Sequence, residues 1–161
     1  MIRKFELLTD DQRHIILFDG VCNLCNGSVQ LIIKLDKKKI FRFAPLQSEA
    51  GKFLLHSVGL PANHRDSFVY IQKDRFFLRS DALLNVAKTL GGLWRLAYVF
   101  ILLPRGIRDL GYSVIAKNRY KWFGKKDECM APTPELRKRF LQPPGANGHF
   151  TGYTNAKKKE N

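Results

Sequence analysis

A short apolar run that leads directly into a Cys-x-x-Cys pair constrains the fold of this chain more than any other feature. Residues 14–18, HIILF, are apolar with two β-branched side chains, and Asp19-Gly20 supplies a turn signal after them. From Cys25 to Leu35 the apolar residues recur at helical spacing over most of the circumference. The pattern predicts a buried strand, a tight turn and a buried helix, with Cys22 and Cys25 in its first turn.

The predicted position of the two cysteines favours redox chemistry. The first turn of a helix presents unpaired N–H groups and the positive end of the helix dipole, which stabilise an anion such as a thiolate. The thiolate is the nucleophile in disulfide exchange, and this setting lowers the pKa of a thiol from about 8.5 to between about 3.5 and 7.5. We expect Cys22 to be the more exposed, attacking thiol and Cys25 to be the resolving thiol, close enough to form a disulfide.

Asp19 lies within reach of this turn, and two roles for it stay open. Its side chain is suited to capping the turn between strand and helix. It is equally suited to accepting a proton from Cys25 when that thiol resolves a mixed disulfide.

The chain from residue 36 to residue 92 alternates between strands and helices. Each element is bounded by a turn or capping signal. A strand at 40–44 is ended by Pro45, and a helix follows from Ser48 to Gly59. Strands at 67–72 and 75–79 are joined across Lys73-Asp74, and the next helix has Ser80 as its N-cap and ends at Gly91-Gly92. The order β-α-β-α-β-β-α predicts an α/β fold with a four-stranded mixed sheet covered by helices.

A second apolar run, LWRLAYVFILL at 93–103, contains Arg95 and is too short to cross a bilayer, which needs about 20 residues. We expect a helix that packs into the core, with contact at a membrane interface as the alternative. Pro104 is suited to open a further helix, whose apolar residues are expected to face inward. These residues are Ile107, Leu110, Val114 and Ile115.

The last part of the chain is basic. The segment NRYKWFG at 118–124 could bind a flat or anionic group, but we expect its rings to pack on the domain and its charges to lie in water. From Gln142 the chain is rich in Pro, Gly, Asn and Lys. We therefore expect one domain over 12–141 and a disordered basic tail at 142–161.

Charge and cysteine count narrow the classes of partner and compartment. The 161 residues carry a net charge of +14, which attracts acidic partners of any kind. The basic clusters have no nucleic-acid motif around them, so no specific nucleic-acid partner is expected. Residues 1–13 lack the apolar core of a signal peptide, and three cysteines do not make a disulfide scaffold, so we expect a cytoplasmic protein.

Metal binding is an alternative use of the two thiols. Structural zinc takes four ligands, so Cys22 and Cys25 would need two more. The candidates are Cys129, His14, His56, His64 and His149. Because the chain has no second Cys-x-x-Cys pair, we expect neither a metal nor another cofactor. Cys129 is then either passive or a redox partner of the pair.

Three motifs, in order, give the chain a resemblance to a known family. FDGVCNLCN at 18–26, RSDA at 79–82, and NRYKWFG followed by Cys129 are similar to motifs of the DCC family of predicted thiol-disulfide oxidoreductases, a branch of the thioredoxin-like superfamily. The resemblance covers residues 12–141. It implies a glutaredoxin-like sheet and disulfide exchange with protein or small-thiol substrates.

The resemblance also implies site residues. Asp19, Cys22 and Cys25 match the active site of the family, and Ser80 and Cys129 match further positions of its pattern. The chain departs from most thioredoxin-like enzymes at Asp66-Ser67, where those enzymes carry a cis-proline before the third core strand.

Overall fold

The computed structural model describes residues 14–64, 68–73, 75–127 and 138–141. The elements in these ranges are β1 (His14–Phe18), α1 (Asn23–Leu35), β2 (Phe41–Pro45), α2 (Glu49–Ser57), β3 (Phe68–Gln72), β4 (Arg75–Leu78), α3 (Arg79–Leu90), a 3-10 helix (Gly92–Leu102) and α4 (Arg105–Phe123). The strand order is β2-β1-β3-β4, with β1 parallel to β2 and the other two pairs antiparallel. The predicted α/β, thioredoxin-like fold with extra helices after the core is confirmed.

The strand β1 lies in the middle of the sheet because it is apolar on both faces. Ile16 and Phe18 pack in one core layer with α1 and α3, and Ile15 and Leu17 pack in the other with α2. All four side chains are fully buried. A strand buried on both faces has a continuous apolar sequence, which is why the run at 14–18 predicted a buried strand.

Helix α2 begins and ends where the sequence predicts. The Ser48 hydroxyl accepts a hydrogen bond from Gly51 N at 3.0 Å, and Gly59 follows the helix with a φ of +79°. Gly51 also permits close packing on β2, since a Cβ at this position would lie 2.1 Å from the Pro45 carbonyl oxygen. Any side chain there would push α2 away from the sheet.

Residues 138–141 pack along the outer edge of β2. Phe43 N donates to Arg139 O, and Leu141 N donates to Phe43 O, both at 2.8 Å. Between these two hydrogen bonds, Phe140 inserts its ring into the core layer that contains α1. This short segment therefore belongs to the core although it lies far along the chain.

The predicted N-cap of α3 is wrong. The strand β4 passes directly into α3, which begins at Arg79 with Leu78 in the N-cap position. Ser80 therefore lies inside the first turn. Its hydroxyl donates to Asp109 on α4 at 2.5 Å and so joins the two helices.

The prediction that residues 93–103 pack into the core is also wrong. They form most of a 3-10 helix that lies against α3 and contains no buried residue. A 3-10 helix has three residues per turn, so residues three apart form one row along it. Leu93, Leu96, Val99 and Leu102 form such a row and are 79%, 66%, 59% and 81% exposed.

Helix α4 follows Pro104 as predicted, but its orientation differs from the expected one. Ile107, Leu110, Val114 and Ile115 were expected to face inward, and each is 46% or more exposed. The helix packs on α1 and α3 through another face, and its one buried residue is Arg119. Helical spacing located the apolar residues but could not show that α4 packs through the face that carries the buried Arg119.

Several expectations concern residues outside the described ranges. These are the segment 1–13, Asp66-Ser67, Asp74, Cys129, His149 and the segment 142–161. The domain bounds of 12–141 therefore stay a prediction. Within the described residues, no helix combines the length and the apolar character that crossing a membrane requires.

Phe140→Ala is expected to lower the free energy of unfolding by about 3–5 kcal/mol, the usual cost of truncating a buried phenylalanine. Phe140 is 4% exposed, so its removal leaves a cavity in the core. Urea unfolding followed by circular dichroism measures the change. Phe76→Ala is the matched control. Phe76 lies on β4 and is 40% exposed, so its truncation should lower the free energy of unfolding much less. Equal losses in the two variants would contradict the core position of Phe140.

Candidate active site

The Cys-x-x-Cys pair lies at the start of α1. Cys22 is the N-cap residue, with φ −84° and ψ 122°. Its Sγ accepts a hydrogen bond from Cys25 N at 3.4 Å, and its carbonyl oxygen accepts one from Asn26 N at 2.9 Å. Both cysteines are free thiols. The sulfur of Cys22 therefore stands where a helix stabilises negative charge.

Both thiols are buried, and the expectation that Cys22 is the more exposed is wrong. Cys22 is 0% exposed and Cys25 is 6% exposed. The backbone around Cys22 is covered by residues 123–126, which begin at the last residue of α4 and which we call the strap. The sequence analysis did not predict this contact, because it joins segments about 100 positions apart.

The strap is held by hydrogen bonds on both sides of Cys22. Lys126 N donates to Val21 O at 2.8 Å, and Asn23 N donates to Gly124 O at 3.4 Å. The Asn23 side chain adds a third hydrogen bond, from Nδ2 to Phe123 O at 2.8 Å. The strap therefore runs along the backbone on both sides of Cys22.

Asp19 is the centre of a buried polar cluster beside the pair. Its Oδ1 accepts hydrogen bonds from Val21 N at 3.2 Å and from Gln47 Nε2 at 2.7 Å. Its Oδ2 accepts from Arg119 Nη2 at 3.0 Å and from the Tyr120 hydroxyl. Asp19 and Arg119 are 3% and 7% exposed, so this is a buried ion pair.

The environment shifts the pKa of two groups in opposite directions. Burial by itself raises the pKa of Asp19, but the hydrogen bond from Tyr120, the other donors and the Arg119 charge lower it below its ordinary value of 3.8. Burial raises the pKa of the Cys25 thiol strongly, Cys22 and Asp19 raise it further, and Arg119 opposes them. Asp19 therefore stays ionised at neutral pH while Cys25 holds its proton.

The expectation for the segment 118–124 is wrong in part. Arg119 is buried, and Trp122 and Phe123 are 55% and 47% exposed, whereas Lys121 is exposed as expected. Arg119 and Tyr120 are site residues that the sequence analysis did not identify. The signal was available, since an aspartate predicted beside a buried helix requires a partner of opposite charge.

The structure brings Asp19, Cys22 and Cys25 together, but it places Ser80 in the contact between α3 and α4. Arg108 Nη1 donates to Ser80 Oγ at 3.2 Å and to Asp81 Oδ1 at 2.6 Å. Cys129 lies outside the described residues, so its relation to the pair stays a prediction.

Two cavities adjoin the site. The first, of about 440 Å³, is mainly apolar and is lined by Leu24, Cys25, Ser28, Phe68, Leu83, Tyr112, Ile115, Ala116, Arg119, Trp122 and Phe123. The second, of about 500 Å³, is more polar, and its lining includes Asp19, His64, Lys52, Lys125 and Lys126. Cys25 thus lines one cavity and Asp19 the other.

The described residues contain no group of three or more His, Cys, Asp or Glu side chains placed to hold a metal ion. The three described histidines lie on β1, on α2 and in the loop after α2. Cys129 and His149, the other ligands considered for the metal-binding alternative, lie outside the described ranges.

Gly124→Ala is expected to raise the rate at which iodoacetamide alkylates Cys22 by about tenfold, the equivalent of about 1.4 kcal/mol. Gly124 has φ +82° and ψ 166°, a conformation that only glycine adopts readily, and a Cβ there would lie 2.9 Å from Asn23 Nδ2. The alanine should therefore loosen the strap. Mass spectrometry of the Cys22 peptide measures the rate.

Gly111→Ala is the control, because no atom lies within 4 Å of a Cβ placed there and the residue is on the same helix as the start of the strap. Equal alkylation rates in the wild type and the Gly124→Ala variant would contradict the covering role of the strap.

Comparison with known proteins agrees with this geometry. The family model of the DCC1-like thiol-disulfide oxidoreductases matches residues 16–125. The chain is 52% identical over 136 residues to YuxK, an uncharacterised protein of Bacillus subtilis, a match that covers 83% of this chain and 99% of YuxK. It is 41% identical over 121 residues to a DCC family protein of Arabidopsis thaliana named as chloroplastic, covering 74% of this chain and 70% of that protein. No solved structure matches significantly. The chain therefore belongs to the DCC1-like thiol-disulfide oxidoreductase family.

Proposed function

We propose that the protein is a thiol-disulfide oxidoreductase in which Cys22 and Cys25 exchange disulfides with a protein or low-molecular-weight substrate. The observation that carries the proposal is the hydrogen bond from Cys25 N to Cys22 Sγ at 3.4 Å, at the start of α1. A donor directed at the sulfur stabilises the thiolate, which is the attacking species. Membership of the family supports a redox role.

The exchange has two steps. Cys22 Sγ attacks one sulfur of the substrate disulfide, a mixed disulfide forms, and the other substrate sulfur leaves as a thiolate that is protonated by water. Cys25 then loses its proton to solvent and attacks Cys22 Sγ, so that a protein disulfide forms and the second substrate thiol is released. Two electrons and two protons pass from the dithiol to the substrate, and the reverse sequence oxidises a substrate dithiol.

The charges around Cys25 fit the role of resolving thiol. Burial raises its pKa, so Cys25 keeps its proton until Cys22 has reacted. The positive charge of Arg119 acts in the opposite direction and stabilises the Cys25 thiolate that must form in the second step.

We assign Asp19 a positioning role in this mechanism. Its carboxylate binds the turn through Val21 N and holds Arg119 beside the pair. Because its pKa is lowered, it is a weak acceptor for the Cys25 proton. Of the two roles left open by the sequence, the capping role has the support of these contacts.

Two further parts of the proposal rest on the sequence. Cys129 is a candidate accessory thiol because it belongs to the motif pattern of the family. A reducing location such as the cytoplasm fits a catalytic Cys-x-x-Cys pair, although the Arabidopsis relative is named as chloroplastic.

Cys25→Ser is expected to trap a covalent complex with a disulfide substrate, because the resolving step is lost while the backbone N–H that stabilises Cys22 remains. A non-reducing gel or intact mass spectrometry after incubation with insulin measures the complex, and dithiothreitol should release it.

Cys22→Ser is the matched variant and should show neither turnover nor a trapped complex. A complex with Cys22→Ser and none with Cys25→Ser would reverse the two roles. If both variants exchange disulfides as the wild type does, the oxidoreductase proposal fails.

A specific observation favours a second candidate function, docking on an anionic membrane surface. Besides the exposed row of Leu93, Leu96, Val99 and Leu102, the residues Ile107 and Leu110 on α4 are also exposed. Residues 92–126 contain eight basic residues and one acidic residue. Three of the eight are ion-paired to aspartates, and Lys125 and Lys126 line the second cavity, which leaves Arg95, Lys117 and Lys121 to meet lipid phosphates. Apolar rows flanked by basic side chains bind at membrane interfaces.

Leu96→Glu is expected to lower the partition coefficient onto vesicles by tenfold or more, because burying a leucine side chain is worth about 1.5–3 kcal/mol. Co-sedimentation with phosphatidylcholine vesicles containing phosphatidylglycerol measures it. Leu31→Glu is the control, since Leu31 is 46% exposed but lies on α1. Binding equally strong to pure phosphatidylcholine, or unaffected by Leu96→Glu, would contradict this second function.

A further inference from the structure

We infer that the apolar cavity beside Cys25 binds the substituent next to the reacting sulfur of the substrate, and that this substituent is neutral and apolar. The inference rests on the disulfide exchange proposed above and names its substrate class. The cavity measures about 440 Å³, within the range of about 300–1,000 Å³ that is usual for small-molecule sites. It is therefore large enough for an aromatic or branched aliphatic group.

The lining of the cavity determines the chemistry of its ligand. Aromatic rings from β3 and α4 and aliphatic side chains from α1 and α3 form most of the wall: Phe68, Trp122, Phe123, Leu24 and Leu83. The one charged side chain in the lining, Arg119, is ion-paired to Asp19. Placing a charged substituent among these side chains would desolvate it without a matching partner, which is costly.

The second cavity supports this preference for an apolar substituent. It is lined by three lysines and two aspartates, Lys52, Lys125, Lys126, Asp19 and Asp127, so a charged or polar substituent finds its partners there. The apolar cavity therefore lies against Cys25, whereas the polar cavity is lined by Asp19 and by neither cysteine.

The apolar cavity is a product of helix α4, which lies outside the β-α-β-α-β-β-α core. Tyr112, Ala116 and Trp122 contribute the wall that faces α1. In the mixed disulfide on Cys22, a group seated in this cavity lies against the Cys25 thiol. No atoms or electrons beyond those of the exchange are required.

The test compares two neutral disulfides that differ only beside the sulfur. These are the symmetrical disulfides of N-acetyl-Phe-Cys-amide and N-acetyl-Ser-Cys-amide, each reduced by the wild-type protein in the steady state with dithiothreitol as the reductant, after subtraction of the rate without protein. The phenylalanine disulfide should have a kcat/KM about tenfold higher, a common discrimination for an apolar pocket. Equal values would overturn the inference and leave the exchange intact. If neither disulfide is reduced, the proposed function fails and the inference fails with it.

Ala116→Trp fills the cavity and should bring the ratio of the two kcat/KM values close to one. Val114→Trp is the control on the same helix, because Val114 is 46% exposed and does not line the cavity. Thermal unfolding shows whether each variant folds. Should Ala116→Trp not fold, Leu83→Ala removes part of the wall at a residue that is 41% exposed and should lower the ratio. A ratio unchanged in the folded variant overturns the inference.

Discussion

The carboxylate of Asp19 and the guanidinium of Arg119 come from positions 100 residues apart and meet in a buried ion pair beside the Cys-x-x-Cys turn. Two charges can leave water together only when each finds the other and further hydrogen bonds, and loss of one partner costs about 3–5 kcal/mol because the other stays buried and unpaired. The pair therefore fixes α4 onto the start of α1. The strap and one wall of the apolar cavity belong to α4 and the residues after it, and the contacts of Ser80 with Asp109 and of Asp81 with Arg108 also hold α4 on α3.

The proposed disulfide exchange makes opposite demands on α4 and on the strap. The helix must stay attached so that Arg119 faces Cys25, and the strap must open so that a substrate reaches Cys22. The strap is held by three hydrogen bonds, two of them from Asn23, whereas α4 is held by the ion pair and by its packing on α1 and α3. The strap, which has to move, is thus attached more weakly than α4.

The core could be predicted from the sequence because its signals are local. The apolar run at 14–18, the Ser48 cap and Gly59 each determine a structure within a few residues of themselves, and all three have their predicted roles. An aspartate beside a buried helix indicates that a partner exists, but it does not show which residue that partner is. The identity of the partners of Asp19, the burial of Cys22 and the exposed face of α4 could not be predicted, because they depend on contacts across the chain. The prediction that residues 93–103 pack into the core was wrong for a different reason. Hydrophobicity predicts burial, whereas the apolar row of this segment is exposed to solvent.

The segment at 138–141 has a consequence for the solubility of the sheet. An edge strand with unpaired N–H and C=O groups is a template on which other chains can aggregate. Residue Phe43 on the outer edge of β2 uses both its N–H and its C=O to pair with this segment, and Arg139 is anchored there by a buried ion pair with Asp36. The opposite edge is the four-residue strand β4, which begins with the charged Arg75. One edge is thus covered and the other is short and charged, which protects the sheet from edge-to-edge association with another copy.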